Sequence, residues 1–158
     1  MAYELKNSGE FEYIDEGKGE ILLLLHGLFG ALSNWASVIE EFSKNYRVII
    51  PMLPIYTAPF RKASVHYLSG YVDAFVNELN LENFTALGNS LGGHVGLVYT
   101  LENPNKVNRL VLTGSSGLFE SGMGGTFPKR GSYEYIKERV EYTFFDPKTA
   151  TKVLVDEV

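Results

Sequence analysis

The sequence contains no cysteine. Disulfide frameworks, thiolate metal sites and cysteine nucleophiles are therefore excluded together, and a reducing compartment suits the chain. Positive charge is in deficit: fourteen Lys and Arg stand against nineteen Asp and Glu, a net charge of −5. Such a balance repels nucleic-acid phosphates and anionic membrane surfaces, so neither is expected as a partner. Long hydrophobic runs are missing too. The longest, Ile21 to Leu25, falls far short of the roughly 20 residues that span a bilayer. Met1 to Glu10 lacks the basic and apolar regions of a signal peptide, and a cytoplasmic location is expected. Histidine is scarce: of three, none follows His94. No pair of them has metal-ligand spacing, and no metal or cofactor is expected. The ten Tyr and ten Phe have no basic residues interleaved and read as core and pocket lining, not as stacking platforms for bases.

What is present is a chain of 158 residues, 45% apolar and 21% charged, proportions that suit one folded core. Strand-like and helix-like segments alternate, which predicts an α/β architecture: a mostly parallel twisted sheet with helices on both faces. Tyr3 to Asn7 and Phe11 to Asp15 read as an edge hairpin. Ile21 to Leu25, Val48 to Ile50, Phe84 to Leu87 and Leu110 to Leu112 are short apolar runs of the kind found in strands covered on both sides, four central parallel strands in all. Between them, Val65, Leu68, Val72, Phe75, Val76 and Leu79 fall on one helical face behind a capping Ser64. Asn34 to Phe42 forms a second helix with Trp35, Val38, Ile39 and Phe42 inward, and Leu91 to Glu102 a third. Residues 1–113 are expected to form a core. Residues 114–158, rich in glycine at first, are expected to begin a helical cap, with one helix opened by Ser132 or Tyr133 and a second running from Asp146 and Pro147 to the end.

The chemistry concentrates at Gly88 Asn89 Ser90 Leu91 Gly92, a G-x-S-x-G between an apolar strand and a helix. A nucleophilic serine needs a turn there so tight that its hydroxyl leaves the sheet, and only glycines fit the close backbone approach two positions to either side. The second signal is His26 Gly27 Leu28 Phe29 Gly30, directly after the first central strand. Backbone N–H groups at Leu28 and Leu91 would form an oxyanion hole for the charge that develops on a substrate carbonyl. His26 reads as an imidazole holding the loop backbone, with general base as the alternative.

These segments, together with the helix ending in Glu102 Asn103 Pro104 Asn105 Lys106 Val107 and the strand Arg109 to Ser115, closely resemble the N-terminal half of the α/β-hydrolase fold over essentially the whole chain. Asn89 in the elbow and Asn34 past the oxyanion loop resemble the meta-cleavage-product hydrolases, which cleave carbon–carbon bonds of vinylogous diketones. Phe144 to Val155 is similar to their cap. The resemblance implies Ser90 as nucleophile, with Phe29, Asn34 and Asn89 binding a small carbonyl substrate and Gly27, Gly88 and Gly92 shaping the site.

Three departures stand out. Met52 Leu53 Pro54 Ile55 Tyr56 replaces the family's Asp-Leu-Pro-Gly-x-Gly. Serine instead of aspartate at position 90 argues against haloalkane dehalogenase and epoxide hydrolase chemistry. Above all, the fold orders its triad Ser, then Asp or Glu, then His, and the histidine is missing. Asp146 and Asp156 read as capping or solvated groups, His94 as a helix or core residue, and His66 as locally satisfied. Lys129, Arg130, Lys137 and Arg139 form a basic cluster, either a solvated face or a steering patch for an anionic substrate. Two readings stay open: the N-terminal portion of a serine hydrolase, or a non-catalytic α/β interaction module that retains the elbow. An uncovered edge at Leu110 to Leu112 predicts a homo-oligomer or a missing C-terminal segment as partner.

Overall fold

The structure is a computed structural model that describes residues 3–28, 35–57, 64–118, 132–143 and 146–156. It divides into two units, Met1–Glu120 and Ser121–Val158. In the first unit the elements run β1 (Lys6–Ser8), β2 (Phe11–Gly17), β3 (Glu20–Leu25), α1 (Ala36–Phe42), β4 (Tyr46–Pro51), α2 (Val65–Glu78), β5 (Phe84–Asn89), α3 (Leu91–Glu102) and β6 (Val107–Thr113). The strands form one sheet in the order β1-β2-β4-β3-β5-β6. Strands β4, β3, β5 and β6 are parallel. The β1–β2 hairpin is antiparallel and continues antiparallel onto β4.

Strands β3 and β4 are buried from both sides because alternate residues enter different cores, whereas β6, expected among the central covered strands, lies at the sheet edge with Val111 exposed. Leu23, Leu25 and Ile49 pack with Leu68, Val72, Phe75 and Val76 of α2 and Val95 and Tyr99 of α3. Leu22, Leu24, Val48 and Ile50 pack on the opposite face with Trp35 and Ile39. This two-sided burial is what turns an alternating strand pattern into a continuous apolar run. The register at the far edge is pinned by Arg47, which donates from Nε and a terminal nitrogen to both carboxylate oxygens of Asp15 at 2.9 Å. That hydrogen bond holds the Asp15 carboxyl below the usual carboxylate range.

The predicted helix faces are largely as read. Ser64 caps α2 by accepting the Tyr67 N–H. Two expectations need correction. Strand β1 begins at Lys6, not at Tyr3, because only Lys6 to Ser8 pairs across the tight turn at Gly9, whose φ is +56°. Phe42, expected inward, is 41% exposed; it ends its short helix and its ring lies on Tyr46 instead of in the core. Asn34, expected to open that helix, lies outside the described residues.

The second unit holds α4 (Tyr133–Thr143), a 3-10 turn at Pro147–Thr149 and α5 (Lys152–Asp156). Ser132 caps α4 by accepting the Tyr135 N–H. Val140 and Val155 are buried. The helix expected to run on from Pro147 is broken. Asp146 satisfies the N–H groups of Lys148 and Thr149, which closes a 3-10 turn, and α5 starts anew behind Thr151, whose carbonyl accepts the Val155 N–H. Phe144 lies outside the described residues.

Candidate active site

Ser90 sits between β5 and α3 with φ +53° and ψ −122°. A non-glycine residue in such a region costs on the order of 1–3 kcal/mol and persists only where its surroundings over-determine it. The other described non-glycine residues with positive φ are Asn80 and Asn83, and asparagine tolerates that conformation far better than serine. The glycines around Ser90 permit the approach. A Cβ on Gly92 would lie 2.0 Å from the Leu25 carbonyl oxygen, and one on Gly88 would lie 2.5 Å from the Gly92 oxygen. The end of β3 thus rests directly on the first turn of α3.

That contact brings the oxyanion loop to the elbow. A Cβ on Gly27 would stand 2.9 Å from the Ser90 Cβ and 3.4 Å from its Oγ. Leu28 follows in a turn and is 43% exposed. Leu91 opens α3, so its N–H is one of the four that a helix leaves without an internal partner. Phe29 and Asn34, the other two residues expected here, lie outside the described residues.

His26 has both ring nitrogens occupied. Its Nδ1–H donates to the Gly27 carbonyl at 3.1 Å, and its Nε2 accepts the Leu53 N–H at 2.9 Å. Both ring nitrogens therefore hold backbone, tying the loop after β3 to the loop after β4. Burial pushes the imidazole below its ordinary value, with the Gly27 hydrogen bond opposing. The neutral ring fits this site and the charged one does not, since protonated Nε2 has no lone pair for Leu53.

Two residues that sequence reasoning did not single out complete the elbow. The Thr113 carbonyl accepts the Ser90 N–H at 3.1 Å, and the Ser90 carbonyl accepts N–H groups from Gly93, His94 and Ser116. Asn89, expected to bind substrate, donates its side-chain amide to the carbonyl and hydroxyl of Thr113 at 3.0 and 3.1 Å. The only signal in the sequence is a hydroxyl residue at the end of an apolar strand. It becomes legible once Asn89 is known to stand opposite Thr113 in the register.

The remaining candidates are placed elsewhere. The His94 ring lies against Gly117, close enough that a Cβ there would be 2.5 Å from it. His66 is exposed and sits 3.2 Å from Glu102, whose other oxygen accepts the Ser69 hydroxyl at 2.7 Å, a link between α2 and α3. In the second unit, Asp146 caps its 3-10 turn and Asp156 pairs with Lys152. Lys137 pairs with Glu141 at 3.7 Å, while Lys129 and Arg130 lie outside the described residues. Among the described residues no group of three or more Asp, Glu or His could hold a metal ion, and no helix is long and apolar enough to cross a membrane.

A family profile for the alpha/beta hydrolase fold matches residues 20–140. The chain belongs to the α/β-hydrolase family. Among the family's curated members it is 30% identical to the 2-hydroxy-6-oxo-2,4-heptadienoate hydrolase of Pseudomonas putida, over 90% of this chain and 55% of that one. An α/β-hydrolase enzyme from the metagenome of lagoon sediments at Mar Chica, Morocco, is 47% identical over 74% of this chain and 54% of that one, with a TM-score of 0.70. A variant of the meta-cleavage product hydrolase CumD superimposes with a TM-score of 0.79 at 25% identity, over 98% of this chain and 61% of that one. This α/β-hydrolase chain spans about half the length of the curated relatives it matches.

Proposed function

We propose that Ser90 is the nucleophile of a hydrolase that cleaves an ester or carbon–carbon bond of a small carbonyl substrate. The observation that carries this reading is the strained Ser90 at the β5–α3 turn, with Gly27 packed against it. Strained residues of this kind persist only where their surroundings over-determine them and cluster at active sites, and a serine near loop and helix-start N–H groups is what acyl transfer requires. In the proposed cycle the Ser90 hydroxyl adds to the carbonyl as its proton passes to a base. The N–H groups of Leu28 and Leu91 receive the oxyanion, the tetrahedral adduct expels the leaving group, and water releases the acyl group. The curated relatives act on 2-hydroxy-6-oxo-dienoates and 2-hydroxymuconate semialdehyde, which supports a small keto acid as substrate. Residues 114–158 would begin a helical cap, and the absence of cysteine supports a cytoplasmic setting.

The base is the weak point of the chain taken alone. His26 is occupied at both nitrogens, His94 rests on Gly117 and His66 lies with Glu102, so the reading takes its histidine from outside these 158 residues. That observation also favours the second reading, a non-catalytic module. The two are separated by treating the chain and its Ser90→Ala variant with an activated phenyl acetate, with free imidazole added as a diffusible base, and locating the acetyl group by mass spectrometry. An adduct on Ser90 that is absent from the variant is expected. Equal, unlocalised acetylation of both would decide for the module.

A further inference from the structure

We propose that Asn89 and Thr113 form a clamp that holds Ser90 in its reactive conformation, making Asn89 a positioning residue in this chain and not a substrate contact. The functional side of this inference rests on Ser90 being the nucleophile; its geometric side does not. Three consecutive elbow residues converge on the last residue of β6. The Thr113 carbonyl takes the Ser90 N–H at 3.1 Å and the Asn89 amide at 3.0 Å. The Thr113 hydroxyl takes the same amide at 3.1 Å and faces the Gly88 carbonyl at 3.4 Å, the longest of the set. The Ser90 carbonyl is held in turn by the Ser116 N–H, two residues beyond Gly114. A positive φ at serine has no intrinsic support, so the bonds that fix residues 88, 89 and 90 to β6 are what hold the Ser90 backbone in that conformation. An amide is well suited to this, since its nitrogen carries two hydrogens and here has two acceptors on one neighbouring residue. With Nδ2 so engaged, the Asn89 amide is directed at β6.

The test uses Asn89→Ala, Thr113→Val and the conservative Thr113→Ser in the 158-residue chain, with two independent readouts. Amide hydrogen exchange is followed at Ser90 and Ser116, with Leu24 in the central strand β3 as internal reference. Acetylation of Ser90 by phenyl acetate with imidazole is followed against ester concentration. The clamp predicts that Asn89→Ala and Thr113→Val accelerate exchange at Ser90 and Ser116 by about tenfold relative to Leu24, the scale of one lost hydrogen bond, and that Thr113→Ser restores it. It also predicts a lower rate of acetylation by phenyl acetate, which has neither carboxylate nor enol, whereas an Asn89 that served only as a substrate contact would leave that rate unchanged. Equal acceleration at Leu24, or none at Ser90, overturns the clamp. Failure of the parent chain to acetylate at Ser90 overturns the nucleophile reading instead, and the exchange data still decide the clamp.

Discussion

At the scale of single residues the local chemistry is sharply divided between groups whose partners are complete and groups whose partners are not. His26 is complete only when neutral. In the unfolded chain it takes a proton near its ordinary value of about 6.5, while in the fold burial holds it lower. The unfolded state therefore binds more protons between those two values, so the His26 contribution to stability is whole above about pH 6.5 and is lost as pH falls toward the depressed value. Urea midpoints measured from pH 8 down to 5 should fall more steeply for the parent than for His26→Asn, and parallel curves would contradict this. Tyr99 is the opposite case: it is fully buried, and its hydroxyl has no hydrogen-bond partner among the described residues. Burial pushes that hydroxyl well above its ordinary value. An unsatisfied buried donor costs about 1–3 kcal/mol, so Tyr99→Phe, which keeps the ring stacked on Phe84, should raise the unfolding free energy by about 1 kcal/mol. A loss of stability in urea titration would mean the hydroxyl is satisfied after all. Ser90 and its glycines were legible in the sequence because they answer to a local rule about one turn. Thr113 was not, because its role depends on which strand lies beside β5, a fact no local pattern contains.

At the scale of elements, legibility followed the strength of the periodic signal. Helix α2 was read with its cap and its buried face because Leu68, Val72, Phe75 and Val76 repeat at helical spacing over fourteen residues. The short pieces were read less well: β1 came out three residues long and the helix expected from Pro147 split into two. In pieces of that size one cap or one pairing outweighs propensity, and neither is visible before the chain is folded. Helix α2 also carries an internal weakness. Gly70 lies mid-helix on the exposed side, and a Cβ there would meet nothing within 4 Å. Gly70→Ala should therefore stabilise the fold by about 1 kcal/mol through helix propensity alone, measured as a higher thermal midpoint with no change in the heat capacity of unfolding. A lower midpoint would show that the apparent space is filled.

At the scale of the whole molecule the sheet is asymmetric in its protection. The β1 edge is three residues long, and Lys6 of that strand reaches back to the Asp15 carbonyl at 2.7 Å, which is the blunted kind of edge that resists pairing. Strand β6 is seven residues long and, among the described residues, pairs only with β5. Its outer half offers little deterrent: Val111 is 41% exposed, and Leu101 on the preceding helix is 73% exposed. Unpaired backbone groups beside exposed apolar side chains template the addition of another strand, and a second copy of the chain is always at hand to supply one. A two-fold pairing of β6 with its own copy is self-complementary and closes the assembly at a dimer. Sedimentation equilibrium should thus show a concentration-dependent dimer. Val111→Lys should shift it to monomer while leaving the thermal midpoint of the dilute chain nearly unchanged, since the lysine replaces an exposed side chain. A parent chain that stays monomeric at every accessible concentration would show that the β6 edge is already covered.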